Sequence, residues 1–138
     1  MVRRSELALD VRRRYDDGED TSLTFIDGKK NVGFINYGVE KTYEGVVGWI
    51  YDTLLEEEYR GKGILEQMMP SILCDLKCRG ASKVRLHATN PKIWTRFGFK
   101  VKSQRGYPLM EKDISDLKCE CRCAVKRLLE GTFEDRWE

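Results

Sequence analysis

The sequence predicts a single α/β domain built on a mixed (α+β) sheet, and three patterns in its 138 residues indicate this fold class. Up to residue 55, short β-branched and aromatic segments alternate with turn residues, which is typical of an antiparallel meander. From Ile64 onward the apolar residues follow the period of a helix. Residues 83–88 then indicate a strand, which we expect to run parallel to an earlier one because a helix leads into it.

The meander is predicted to contain four strands, at residues 6–12, 21–26, 32–39 and 46–55. The first of these segments also fits the spacing of a helix, so both assignments stay open. Asp27-Gly28 predicts a hairpin turn, and Gly48 indicates either a bulge or a close approach of another element.

The second half of the chain carries the helical patterns. The helix that begins at Ile64 is predicted to end at Arg79-Gly80 and to kink at Pro70. Beyond residues 83–88, the pattern predicts a short helix or turn at 91–96, strands at 99–103 and 109–112, and a helix at 114–129.

The composition excludes several classes of protein. Hydrophobic residues make up 41% of the chain and charged residues 35%, which is the balance of a soluble globular domain. The net charge is only +2, so neither nucleic acid nor a membrane is expected as a partner. No apolar run approaches the roughly 18 residues of a membrane span, and no apolar segment follows the basic N-terminus. We therefore expect a cytoplasmic protein whose five cysteines are reduced thiols.

No metal site is expected. The chain has one histidine and neither an HExxH nor a CxxC motif, which are the common signatures of zinc sites. On a helix, Cys119 and Cys123 share a face while Cys121 points elsewhere, so three thiolates do not converge. These thiols are expected to be packed or exposed.

A loop with two glycines and two cations, Arg60-Gly61-Lys62-Gly63, precedes the helix at Ile64. The first N–H groups of a helix lack internal partners, and the helix dipole favours an anion there by about 0.3–1 kcal/mol. Glycines let the backbone approach a phosphate without a Cβ in the way. A Walker A loop is absent, and the dinucleotide fingerprint fails because Glu66 stands at its third glycine position. The loop is therefore either a pyrophosphate site or an ordinary charged turn.

The surrounding motifs resemble one enzyme superfamily. Four segments read WIYDTLLEEEYRGKGILEQMM (49–69), RGASKVRLHATN (79–90), WTRFGFK (94–100) and PLMEKDI (108–114). In this order and spacing they resemble the GCN5-related N-acetyltransferases (the GNAT superfamily) over about residues 22–114. The most specific piece, residues 60–64, is similar to the family's Arg/Gln-x-x-Gly-x-Gly/Ala loop, which holds the pyrophosphate of acetyl-CoA.

The resemblance implies one GNAT-like domain over residues 1–138, with residues 115–138 as a C-terminal extension outside the resemblance. It implies that the parallel strands 46–55 and 83–88 splay apart, and that acetyl-CoA is the co-substrate, with no metal. Pantetheine would pair with the backbone near Leu54 and Leu55, where one N–H would polarise the thioester carbonyl. The cofactor-binding residues that it implies are Leu54, Leu55, Arg60, Gly61, Lys62, Gly63, Ile64, Leu65, Asn90 and Trp94.

The sequence departs from the family pattern at several positions. Leu65 stands at the final Gly/Ala of the loop and narrows access to one phosphate. Trp94 stands where the family often has a tyrosine that acts as general acid. Asn90 lies only four residues before Trp94, which weakens its match to the family's cofactor-contacting asparagine. The helical segments usual between the first two strands, which often shape the acceptor site, are missing.

The family implies direct attack of an amine on the acetyl thioester in a ternary complex, for which a general base is useful. His87 lies where some relatives place a catalytic glutamate, and an imidazole ordinarily titrates near pH 6.5. Strand alternation places it with Arg85 on the sheet face opposite Val84 and Leu86. Asp52 is the second candidate base. For both residues the alternative is a structural or solvated side chain on the sheet surface.

Two functions follow from these patterns. The first is an acetyl-CoA-dependent N-acetyltransferase that acts on an amine. The second, motivated by Trp94 and Leu65, is a catalytically weak or inactive member that binds acyl-CoA or serves as an interaction module. The acceptor stays open between a protein N-terminus, a lysine, a polyamine and a small metabolite, and the oligomeric state stays open between monomer and homodimer.

Overall fold

Seven strands form one mixed β-sheet in a computed structural model that describes residues 9–118. The strands are β1 (Leu9–Asp16), β2 (Asp20–Asp27), β3 (Lys30–Thr42), β4 (Gly45–Leu55), β5 (Lys83–His87), β6 (Lys100–Ser103) and β7 (Leu109–Asp113). The helices are α1 (Ile64–Cys78) and α2 (Pro91–Thr95), and a short 3-10 turn covers Glu57–Tyr59. The sheet order is β1-β2-β3-β4-β5-β7-β6, which confirms the mixed α/β sheet that the sequence predicts.

The antiparallel meander is confirmed in β1 to β4. Its first segment is a strand and not a helix, and it extends to Asp16 because that residue still pairs with Thr21 of β2. A tight turn at Gly18, with φ +91°, joins β1 to β2, so no helix separates these strands. The predicted hairpin turn between β2 and β3 is present at Gly28, with φ +64°.

The core lies between α1 and one face of the sheet. α1 buries an apolar stripe that includes Met69, Ile72 and Leu76. A Cβ added at Gly48 of β4 would lie only 3.2 Å from Leu76 and 3.3 Å from Val84. The close approach predicted at Gly48 is therefore confirmed, because the helix and the sheet pack together at this glycine.

A β-bulge interrupts β4 after Gly48. Asn36 and Tyr37 are consecutive on β3, but their partners Asp52 and Ile50 are not consecutive on β4. Tyr51 is the extra residue, so the bulge lies here and not at Gly48. A bulge bends its strand and increases the local twist, and this one lies near the point where β4 loses its neighbour β5.

A buried polar cluster ties the C-terminal end of α1 to the meander. The hydroxyl of Tyr37 donates to Asp75 at 2.6 Å, and Arg79 donates to the same carboxylate at 3.0 and 3.2 Å. Arg79 also donates to Thr21 of β2 at 2.6 Å. The cluster satisfies the charge of Asp75, the one charged side chain that is buried within residues 9–118.

The helix predicted from Ile114 does not begin there. Residues 114–118 contain a turn, closed by a hydrogen bond from Leu117 N–H to the Ile114 carbonyl at 3.0 Å. Asp113 accepts hydrogen bonds from both the backbone and the hydroxyl of Ser115, and such local bonds compete with a helix. The rest of that predicted helix, the cysteines at 119–123 and the first residues of the chain lie outside the described residues.

Cys74, buried on α1, is disulfide-bonded, so the expectation of reduced thiols is wrong for this residue. The cytoplasmic location that was expected with it stays a prediction. No helix within residues 9–118 has the length and apolar character of a bilayer-spanning segment.

Candidate functional site

The predicted splay between β4 and β5 is present at their C-terminal ends. The two strands pair only from Val47 to Trp49 on β4, opposite Lys83 to Arg85 on β5. Beyond this point β4 continues on β3 alone, whereas β5 continues on β7, where His87 pairs with Leu109. A gap therefore opens in the middle of the sheet, and a cavity lies on each side of it.

The first cavity, here called the loop cavity, has a volume of about 480 Å³. It is formed by the end of β4, the loop before α1, the first turn of α1, and α2 with the residues before it. Its lining residues are Thr53, Leu54, Leu55, Arg60, Gly61, Gly63, Ile64, Leu65, Glu66, Thr89, Asn90, Ile93, Trp94 and Arg96. Nine of the ten cofactor-binding residues predicted from the sequence line this cavity; Lys62 is exposed and does not.

The two loop glycines have backbone conformations that side chains disfavour. Gly61 has φ +73°, and Gly63, the N-cap residue of α1, has φ +83°. The first hydrogen bond of the helix joins Gln67 N–H to the Gly63 carbonyl, so the amides of residues 64–66 precede the helical ladder. Arg60 donates from Nε to the Leu55 carbonyl at 2.7 Å, which holds its guanidinium at the base of the loop. The loop therefore presents open main-chain amides and a cation to one cavity.

Two polar features of the loop cavity are not evident from the sequence. Glu66 forms an ion pair with Arg96 at 3.4 Å across its rim, so the acid of the first helical turn is neutralised. The hydroxyl of Thr53 is buried and has no hydrogen-bond partner among the described residues. A buried hydroxyl without a partner is costly, and a ligand in this cavity could satisfy it.

Asn90 and Trp94, which line the loop cavity, also stabilise the structure around it. The side chain of Asn90 caps α2 by accepting from Lys92 N–H at 3.2 Å. Trp94 is 8% exposed and packs edge-on against Phe99, with ring centroids 5.8 Å apart. Trp94 thus belongs to the core and offers no acidic proton to the cavity.

The second cavity, here called the aromatic groove, lies on the sheet face opposite α1 and has a volume of about 490 Å³. His87 lines it and stacks on Trp49, with centroids 5.7 Å apart. Trp49 Nε1 donates to Glu40 at 3.0 Å, and the hydroxyl of Tyr51 donates to Asp20 at 3.3 Å. The remaining lining residues are Glu19, Val39 and Lys41.

Burial raises the pKa of Tyr51 to about 12, and the neighbouring carboxylate of Asp20 adds to the shift. Its phenol is therefore a hydrogen-bond donor at every physiological pH. The sequence did not predict Tyr51 as a site residue, because its contact with Asp20 depends on how β2, β3 and β4 pair.

The candidate base Asp52 is exposed and lines neither cavity. Lys30 pairs with Glu56 at 3.2 Å and with Glu58 at 3.1 Å, so these acids after β4 form a surface ion-pair cluster. Of the acid–base candidates near the splay, His87 is the one that lines a cavity.

The chain matches one domain family over part of its length. Residues 43–102, which include β4, the loop, α1, β5 and α2, match the acetyltransferase (GNAT) domain. Among curated proteins, none matches the chain.

Several solved structures share the fold. The PaiA N-acetyltransferase of Thermoplasma acidophilum, solved with coenzyme A, has a TM-score of 0.58 at 22% identity, over 69% of this chain and 61% of that one. PH1933 of Pyrococcus horikoshii OT3 has a TM-score of 0.58 at 26% identity, over 70% and 65%. An Arabidopsis thaliana protein, solved with the bisubstrate analogue CoA-Ac-MVNAL, has a TM-score of 0.55 at 19% identity, over 67% and 72%. The chain spans less than two thirds of the first two proteins.

Proposed function

We propose that this chain is a member of the GCN5-related N-acetyltransferase superfamily and that it transfers the acetyl group of acetyl-CoA to an amine; the acetyltransferase (GNAT) domain match over residues 43–102 and the shared fold support this. Both substrates bind together. The amine nitrogen forms a bond to the acetyl carbon, and the bond between that carbon and sulfur breaks. The sulfur leaves as a thiolate and takes up a proton, while the amine loses one to a base.

The observation that carries this proposal is the loop cavity at the splayed end of β4 and β5. Positive-φ glycines at 61 and 63 expose the amides that start α1, and the N-terminus of a helix attracts an anion. The guanidinium of Arg60 adds a positive charge at the same place. These groups suit the pyrophosphate of acetyl-CoA, and Lys62 would contribute only through its charge because its side chain is exposed.

The free edge of β4 suits the pantetheine arm. Past Trp49 this edge is not paired with β5, so main-chain groups near Leu54 and Leu55 can bond to the amides of a ligand. Acetyl-CoA supplies the thioester, and a main-chain N–H here would stabilise the negative charge that develops on its carbonyl oxygen. The unpartnered hydroxyl of Thr53 offers a further donor on the same strand.

Two residues that depart from the family pattern limit the rate without preventing the reaction. Trp94 cannot protonate the departing sulfur, but a thiolate with an ordinary pKa of about 8.5 leaves without a general acid at moderate cost. Leu65 lies in the lining of the loop cavity, where its side chain would reduce the room for a pyrophosphate. The backbone amides of the neighbouring residues, Ile64 and Glu66, lie on either side of Leu65 in the chain.

His87 is the base that the geometry favours. It lines the aromatic groove on the opposite side of the splay from α1, and it would take the proton of an amine that approaches from that side. Asp52, exposed on β4, is the second candidate and would need a water molecule as a relay.

A catalytically weak acyl-CoA-binding module is the alternative, and the buried Trp94 and the bulky Leu65 favour it. Calorimetry with acetyl-CoA and CoA, combined with a thiol-release assay over a panel of amines, separates the two. Binding with turnover on an amine supports the transferase. Binding without turnover on any amine supports the module, and absence of binding contradicts both.

A further inference from the structure

The aromatic groove carries a net negative charge. Glu19, Asp20 and Glu40 line it, and within residues 9–118 none of the three forms an ion pair with a lysine or arginine. Lys41 also lines the groove, so the acidic and lysine side chains of the lining sum to a net charge of about −2. This is a local excess of acid in a chain whose net charge is +2.

Three carboxylates elsewhere in the fold are paired with arginine. Glu44 and Glu111 both pair with Arg85, at 3.2 and 2.8 Å, on the same sheet face as the groove. Asp75 is paired with Arg79 at 3.0 Å. In the groove, Glu40 and Asp20 accept from aromatic donors and not from cations, which leaves their charge available to a ligand.

The aromatic donors fix two of these carboxylates in place. The indole N–H of Trp49 holds Oε1 of Glu40, and the phenol of Tyr51 holds Oδ1 of Asp20. Each carboxylate keeps a second oxygen for another donor. Tyr51 is 47% exposed as a residue, and an aromatic face beside carboxylates attracts alkylammonium groups.

The groove and the loop cavity adjoin along the same two strands. On β4, Trp49 and Tyr51 line the groove and Thr53 lines the loop cavity. At the end of β5, His87 lines the groove, and Thr89, two residues beyond the strand, lines the loop cavity. A step of two residues along a strand is about 7 Å. A short amine in the groove can therefore reach the splay, where the thioester would lie.

We infer that the aromatic groove binds the acceptor, and that this acceptor is a small aliphatic diamine or polyamine. The inference rests on the proposed function. One amine would react at the splay beside His87, while a second, protonated amine would lie against Glu40, Asp20 and Glu19. The groove volume of about 490 Å³ suits a small molecule, and the unpaired acids suit its extra charge.

The test compares acceptors at saturating acetyl-CoA by thiol release. The probes are a linear monoamine, diamines of increasing chain length, a linear triamine and a short peptide with a free N-terminus. We expect KM to fall about fivefold for each added positive charge, and we expect this gain to shrink at high salt. Calorimetry with the triamine alone gives a readout that is independent of catalysis.

Charge-removing variants locate the interaction. Glu40→Gln and Asp20→Asn should each raise the triamine KM about fivefold, with little change in the monoamine KM and in acetyl-CoA binding. Glu44→Gln is the matched control, since it removes a carboxylate of the same sheet face that is already paired with Arg85. It should leave the triamine KM unchanged.

The outcomes separate the two levels of the proposal. If acetyl-CoA binds and the peptide or the monoamine is acetylated better than the triamine, the acceptor inference is overturned and the transferase stands. Equal effects of Glu44→Gln and Glu40→Gln would also overturn the inference. Failure of acetyl-CoA to bind would instead overturn the proposed function.

Discussion

Trp49 of β4 and His87 of β5 stack with ring centroids 5.7 Å apart and planes inclined by 23°, just where the two strands separate. The stack fixes the imidazole in the lining of the aromatic groove. A base fixed next to the gap needs no large movement to accept a proton from an amine there, and such preorganisation is what general base catalysis requires.

If His87 is the base, its removal should change both the rate and its dependence on pH. The active form of a base is the deprotonated one, so kcat/KM of the parent protein should rise with pH and level off once the base has lost its proton. His87→Ala should lower kcat by about 100-fold and abolish this step in the profile. Asp52→Asn is the comparison. A His87→Ala profile that matches the parent would exclude His87, and an effect confined to Asp52→Asn would assign the base to Asp52.

The loop glycine can be tested against a glycine with similar backbone strain. Gly61 and Gly45 both have positive φ, +73° and +109°, and at neither position would a Cβ meet another atom within 4 Å. Alanine at either position should therefore cost about 1–2 kcal/mol of stability from strain alone. Only Gly61 lines the loop cavity, so only Gly61→Ala should also weaken acetyl-CoA binding, by about tenfold in calorimetry. Equal affinities in the two variants would show that the loop does not bind the pyrophosphate.

The glycine loop that lines the loop cavity could be predicted from the sequence because its residues are local in the chain. Residues 60–65 form one contiguous segment, and a strand before it and a helix after it fix its conformation. The aromatic groove could not be predicted in this way. Asp20 meets Tyr51 across 31 positions, and the contact depends on the registers of β2, β3 and β4 and on a bulge that no residue type announces.

The sequence also misled where two local preferences compete. The apolar spacing after Ile114 predicts a helix, but the hydrogen bonds from Ser115 to Asp113 favour a turn at its start. Asp75 is a second case. It lies on the apolar helix α1, and nothing in the sequence indicates which residues its carboxylate binds. Tyr37 and Arg79 become its neighbours only when α1 packs on β3.

The cluster of Tyr37, Asp75 and Arg79 should contribute strongly to stability. Tyr37→Phe removes one hydrogen bond to a buried carboxylate and should cost about 1.5–3 kcal/mol in the free energy of unfolding. Asp75→Asn breaks the ion pair and leaves the guanidinium of Arg79 without its main anion, which should cost about 3–5 kcal/mol. Urea denaturation followed by circular dichroism measures both values.

Glu58→Gln is the control for that series. It breaks an ion pair with Lys30 in which the side chains are 54% and 68% exposed, and such pairs contribute about 0–1 kcal/mol. Comparable losses for Asp75→Asn and Glu58→Gln would mean that the buried cluster does not stabilise the docking of α1 on the meander.

The phenol of Tyr51 should report on the charge of the aromatic groove. Burial and then the Asp20 carboxylate raise its pKa to about 12 from an ordinary value of 10.0. Because the folded state holds the neutral phenol more strongly than the unfolded state does, this contribution to stability is complete below pH 10 and is lost as pH rises through about 12.

The difference in tyrosinate absorbance between the parent and Tyr51→Phe isolates this titration from the other five tyrosines. Asp20→Asn should move it part of the way back toward 10, since burial persists, whereas Glu44→Gln should not move it. If Asp20→Asn leaves the pKa of Tyr51 unchanged, the Asp20 carboxylate does not contribute to the electrostatic potential in the groove. Asp20 would then not be one of the carboxylates that bind the protonated amine.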